Sequence, residues 1–181
     1  MSAEPLLAEV TIRHAHLGDA QALATIGAVT FTDTFGHLYS RENLQAFLDT
    51  YHSVEYYQRF LAYETNVAWL ALSAEGTVIG YCMAGPCGLP VPDMPANSGE
   101  LCRLYLDQNH RRAGLGRAFM DLALGWLEAR FEHLYVGVYS ENEPAQKLYK
   151  TYGFEKVADY FFMVGDYADP EWIMKRNSAK M

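Results

Sequence analysis

Residues 111–116 read RRAGLG and run directly into a helical pattern, with apolar side chains at 115, 118, 119, 122, 123, 126 and 127. A helix start leaves roughly four backbone N–H groups unpaired and carries a partial positive charge. Gly114 and Gly116 put no side chain in front of those groups, and Ala113 and Leu115 complete the loop. Arg111, Arg112 and Arg117 add full positive charge. The guest that suits this combination is a phosphate or pyrophosphate, although an ordinary helix start shares most of these features. A P-loop would need G-x-x-x-x-G-K-[ST], which is absent. A dinucleotide fingerprint would need a third glycine where Phe119 stands, and an earlier place in the chain.

The chain that must hold this loop has 181 residues, half of them hydrophobic, enough for one domain with a substantial core over 1–181. No window approaches the roughly 20 apolar residues of a membrane span, and no signal peptide is visible at the start. Cys82, Cys87 and Cys102 form no C-x-x-C pair, so neither a disulfide framework nor a zinc site is expected, and a reducing cytoplasm is. His14 and His16 lack further ligands at metal-site spacing, and no metal is expected. A net charge of −8 disfavours nucleic acid and would attract a cationic small molecule.

The pattern predicts a strand over 8–15 and a helix ending at about residue 35. Ser40 opens a second helical stretch that continues with a break to about 63. Two strands follow around a turn at Glu75-Gly76, then a strand over 99–107, a helix over 114–130, a strand over 133–139 and a helix over 142–152. A final pair, about 156–165 and 171–176, is expected around a turn at DYADP. Residues 85–98 carry four of the seven prolines and read as a surface insertion: a lid, a dimer contact or decoration. The order is that of a mixed α/β domain, with too few βα alternations for a barrel or a doubly wound sheet.

RRAGLG fits [QR]-x-x-G-x-[GA], and VYSENEPAQKLYKTYGF over 138–154 fits N-x-x-A-x-x-[LF]-Y-x-x-x-G-F through Asn142, Ala145, Leu148, Tyr149, Gly153 and Phe154. Together these resemble the coenzyme A pyrophosphate loop and the later motif of the GCN5-related N-acetyltransferases. The resemblance implies a central, mostly antiparallel sheet with splayed strands flanked by helices. It implies transfer of acetyl from acetyl-coenzyme A to an amine in one ternary complex, with pantetheine bonded to the backbone of Leu104, Tyr105 and Leu106. It makes Tyr149 the proton donor to the departing thiol and sets Asn142 and Ala145 beside pantetheine. By position it offers Glu100 as general base; an exposed strand-end charge is the alternative. Tyr149 also lies on an apolar stripe and could be a packing residue.

FTDTF over 31–35 and residues 137–166 are similar to Pai-type spermidine and spermine acetyltransferases. Phe31, Phe35, Tyr81, Tyr105, Tyr139 and Tyr160 suit a cationic aliphatic amine by cation–π contact. Another small amine, a protein amino group and a catalytically inactive coenzyme A sensor stay open. Many relatives pair, which leaves a homodimer open as well.

Overall fold

The computed structural model describes residues 9–111 and 113–177. Its chain order is β1 (Thr11–His14), α1 (Ala20–Phe35), α2 (Arg41–Tyr51), α3 (Val54–Ala62), β2 (Val67–Leu72), β3 (Val78–Pro86) and β4 (Ser98–Leu106). There follow α4 (Leu115–Glu128), β5 (His133–Tyr139), α5 (Glu143–Thr151), β6 (Glu155–Val164) and β7 (Tyr167–Asn177). The expected break in the second helical stretch falls at His52-Ser53. The Ser40 and Ser53 side chains each cap a new helix by accepting from a backbone N–H three residues on, at 3.1 Å. Among the described residues no helix is long and apolar enough to cross a membrane.

The seven strands form one sheet in the order β1-β2-β3-β4-β5-β7-β6. Every pairing is antiparallel except β4 with β5. That parallel pair is joined only from Ser98–Leu101 to His133–Val136. Beyond it, β4 runs on to Leu106 and β5 to Tyr139 without pairing to each other, so the sheet parts in its middle. Both faces are covered, because no strand pair in the centre can leave an apolar face in water. On one face α4 and α5 pack Leu115, Phe119, Met120, Leu127 and Tyr149 onto Leu101, Val136 and Val138. On the other, Leu23 and Ala24 of α1 and Tyr57 of α3 bury Leu70, Tyr81 and Met83. A third, aromatic cluster of Phe31, Phe35 and Phe47 with Val164 closes the same face toward β6.

Two departures from the sequence expectation matter for the site. The last turn is at Gly165-Asp166, with φ +61° at Gly165, so Pro170 lies inside β7 opposite Phe161 rather than in a turn. The strand tolerates it because Pro170 faces its missing N–H past the end of β5. The Pro170 carbonyl on that edge accepts from Ser140 at 2.9 Å, one residue beyond β5. The proline-rich stretch is shorter than expected. Gly85, Pro86 and Ser98 belong to strands, and the loop proper covers 87–97.

The third feature has no signature in the sequence. Between β3 and β4, Met83 faces Arg103 while Ala84 faces Leu101, so Cys102 is an extra residue without a partner. This bulge resets the alternation of β4. Leu101 and Leu104 share the α4 face, and the side chains of Glu100, Arg103 and Tyr105 share the opposite one.

Candidate functional site

Where β4 and β5 part, a cavity of about 1310 Å³ opens through the sheet. It is lined from one face by Gly114, Gly116, Leu148 and Tyr149, and from the other by Glu100, Arg103, Tyr105, Asp169 and Glu171. A ligand entering beside α4 can therefore meet one entering beside α1 and α2.

Gly114 begins α4 with φ +83°, a left-handed conformation that favours glycine. The first helical bond runs from Ala118 N–H to the Gly114 carbonyl at 3.1 Å. Among the described residues the amides of Leu115, Gly116 and Arg117 have no backbone acceptor. Among the described residues a Cβ added at Gly116 would meet only the Leu148 Cδ2, at 3.5 Å, an ordinary contact. The protein does not need that space, which fits a diphosphate set over bare amides. Gly116→Ala is accordingly expected to be tolerated. Gly116→Val, whose methyls would stand over those amides, is expected to weaken acetyl-coenzyme A binding roughly tenfold, the loss of one charge-assisted hydrogen bond. Calorimetric titration checks this, with the melting temperature nearly unchanged.

Arg112 lies outside the described residues. Arg111 turns back over the opening: its Nε donates to the Leu106 carbonyl at 3.3 Å and its Nη2 to Thr34 Oγ1 at 3.1 Å. Leu106 therefore faces the parting. With Asp107 N–H bonded to Ile79 of β3, alternation sends the Leu104 and Leu106 amides into the gap and the Tyr105 backbone toward β3. Tyr105 thus borders the cavity with its ring, not with free backbone as expected. Tyr81 is the second correction. It is fully buried beneath Tyr105, ring centroids 5.8 Å apart, and cannot touch a substrate. Phe31, Phe35, Tyr139 and Tyr160 do line the cavity.

Asn142 caps α5 by accepting from Ala145 N–H at 3.3 Å, which leaves its amide NH2 to donate. Buried Gln146 ties the helix to the end of β5, donating to the Tyr139 and Ser140 carbonyls at 3.2 and 2.9 Å. These ties fix Tyr149, which is 7 % exposed and packs edge-on against Phe154. The Tyr149 hydroxyl makes no hydrogen bond among the described residues, and burial pushes its pKa above the ordinary tyrosine range. Burial likewise pushes the Cys102 thiol well up, so it is no ready nucleophile.

Opposite Tyr149 stands a group of carboxylates that the sequence revealed only in part. Glu100 accepts from Gly88 N–H of the 87–97 loop at 2.8 Å. Burial pushes Glu100 up to about 7, opposed by that hydrogen bond and by Arg103, and assisted by the Glu171 charge. Burial also pushes Glu171 up to about 7, against the hydrogen bond it accepts from Tyr160. Asp169, 2 % exposed, accepts from Tyr39 with one oxygen and leaves Oδ1 without a partner among the described residues. Arg103, Asp169, Glu171 and Tyr39 escaped the sequence reading, Asp169 because β7 starts earlier than DYADP suggests.

The family profile described as acetyltransferase (GNAT) family matches residues 32–154. The chain is 25 % identical over 162 residues to an uncharacterized N-acetyltransferase in the pepI 3′ region of Lactobacillus delbrueckii subsp. lactis, covering 87 % of this chain and 91 % of that one. It is 23 % identical to an N-alpha-acetyltransferase of Sulfurisphaera tokodaii, over 82 % of each chain. Among solved structures it is similar to the PaiA N-acetyltransferase of Thermoplasma acidophilum in complex with coenzyme A. There the TM-score is 0.73 at 18 % identity, over 93 % of this chain and 98 % of that one. A spermidine N-acetyltransferase, SpeG, of Vibrio cholerae matches with TM-score 0.63 at 16 % identity, over 95 % of each.

Proposed function

Because the chain belongs to the acetyltransferase (GNAT) family and is an acetyl-CoA-dependent N-acetyltransferase, we propose that it acetylates a primary aliphatic amine directly, with no acyl-enzyme. Acetyl-coenzyme A supplies the activated acetyl group. The amides at the start of α4, with Arg117 and the Asn142 amide, bind and orient it. The amine approaches from the carboxylate side. As the new N–C bond forms and the C–S bond breaks, Glu100 takes the proton leaving nitrogen and Tyr149 donates a hydrogen bond to sulfur. An alkyl ammonium has a pKa near 10.4, so removing its proton at pH 7 costs about 4 to 5 kcal/mol. A carboxylate held near 7 is far better matched to that task than one at its ordinary value.

The observation that carries this reading is the continuous cavity through the parted sheet, bordered by the bare helix start and Tyr149 on one face and by Glu100 on the other. Thiol release is the test: protein, acetyl-coenzyme A and a panel of amines are mixed and free thiol is followed. Release with an amine supports the proposal. Binding of acetyl-coenzyme A without release under any amine supports a sensor instead.

A polyamine acceptor is the narrower form of the reading. Glu100, Asp169 and Glu171, with the Phe31, Phe35 and Tyr139 rings around them, support a cationic aliphatic chain. The likeness to a spermidine N-acetyltransferase points the same way at the level of fold.

A further inference from the structure

Arg103 is a cation on the acceptor side of the cavity whose partners are all neutral. Its Nη1 donates to the Tyr51 carbonyl at 3.1 Å and to the Tyr57 hydroxyl at 2.8 Å. Its guanidinium carbon lies 4.7 Å from the Tyr56 ring centre and 5.6 Å from that of Tyr57. No carboxylate pairs with it among the described residues. Glu100 is on the same side of the sheet because of the bulge at Cys102, yet its carboxylate is drawn to Gly88 instead. Each charge is thus held by its own ties, and although Arg103 lowers the Glu100 pKa the two form no ion pair.

Withdrawing a guanidinium from bulk water without a counter-ion is costly. The tyrosine rings offset part of that cost through cation–π contact. Both Nη1 hydrogens are engaged, while the Nε and Nη2 hydrogens have no acceptor among the described residues. Those three donors form the fork that matches a carboxylate or similar oxyanion in two parallel hydrogen bonds. The carboxylates Glu100, Asp169 and Glu171 flank the same space and suit an ammonium.

We propose that Arg103 receives an oxyanion of the acceptor, so that the preferred acceptor is a zwitterion: one small molecule carrying both the amine to be acetylated and a carboxylate-class acid. The inference rests on the acetyl-transfer reading above and narrows its substrate. It competes with the polyamine form of that reading, because a polyamine would instead bring a second ammonium toward the guanidinium, and the test separates the two.

The test uses the full chain and acetyl-coenzyme A with glycine, β-alanine, 4-aminobutyrate and methionine. Each is compared with its methyl ester, and butylamine and spermidine are run beside them. At least one acid is expected to exceed its ester in kcat/KM by roughly 10- to 100-fold, the range of a charge-assisted hydrogen-bond pair. Arg103→Met should bring that ratio close to one by raising KM, and Arg103→Lys should restore part of it. Acetyl-coenzyme A affinity and melting temperature, measured on both variants, identify a folding defect, in which case Arg103→Lys alone carries the comparison. Direct titration of the acids into coenzyme A-loaded protein gives a readout independent of turnover. Release with butylamine or spermidine but no preference for any acid overturns the Arg103 inference and leaves acetyl transfer standing. Acid binding that Arg103→Met abolishes, without thiol release in the wild type, supports Arg103 and overturns acetyl transfer. Neither binding nor release with any acid overturns the inference.

Discussion

Tyr149→Phe is expected to lower kcat by roughly 10²-fold, the loss of one donor aimed at developing charge, with acetyl-coenzyme A affinity and melting temperature nearly unchanged. The second half follows from packing. The ring stays 7 % exposed against Phe154, and its hydroxyl has no hydrogen-bond partner among the described residues to be left stranded. The first half follows from acidity. A phenol near 10 is a weaker acid than a thiol near 8.5, so full transfer is uphill by about 2 kcal/mol even before burial. Burial raises the Tyr149 pKa further, so it remains protonated across the working pH range. Its contribution is a hydrogen bond that strengthens as sulfur gains charge. Single-turnover thiol release at saturating amine measures the effect. Unchanged turnover would remove Tyr149 from the mechanism and return it to packing.

Glu100→Gln is expected to act in opposite directions on activity and stability. Without a base, kcat/KM should fall by roughly 10²-fold at pH 8. The wild-type rise of kcat/KM with pH through about 7 should weaken or shift, because Glu171 titrates in the same range and is coupled to Glu100. Stability moves the other way. The folded-state value near 7 lies above the ordinary 4.5, so between them the folded protein holds the extra proton. Stability is therefore full below about 4.5 and is lost as pH rises through about 7. Glutamine cannot ionise and still presents an oxygen to Gly88. The variant should gain about 1 to 3 kcal/mol at pH 8 and little below pH 4.5, read as melting temperature against pH. A variant no more stable than wild type at pH 8 would show that Glu100 is not held at a cost.

The helix start at residue 115, the cap at Asn142 and the existence of a break in the second helical stretch, though not its place at His52-Ser53, were legible in the sequence because each is set by neighbours in the chain. The orientation of Glu100 and Arg103 was not. Three residues apart in a regular strand they would point to opposite faces, and the bulge that aligns them depends on pairing with β3, a partner distant in sequence. Asp169 was hidden for a related reason. Pro170 suggests a turn locally, and only the early end of β5 permits it within β7. Tyr81 appeared eligible by residue type alone, but Tyr105 covers it.

Only four residue pairs, from Ser98–Leu101 to His133–Val136, stitch the two halves of the sheet together across its middle. In deuterium the free protein should therefore show an alternating record along its fourth strand. The amides of Leu104 and Leu106, turned into the gap, should exchange quickly, and that of Tyr105, turned to β3, slowly. Loading the protein with coenzyme A should slow the fast pair and leave the slow one unaltered, so that two backbone positions report whether the enzyme is charged.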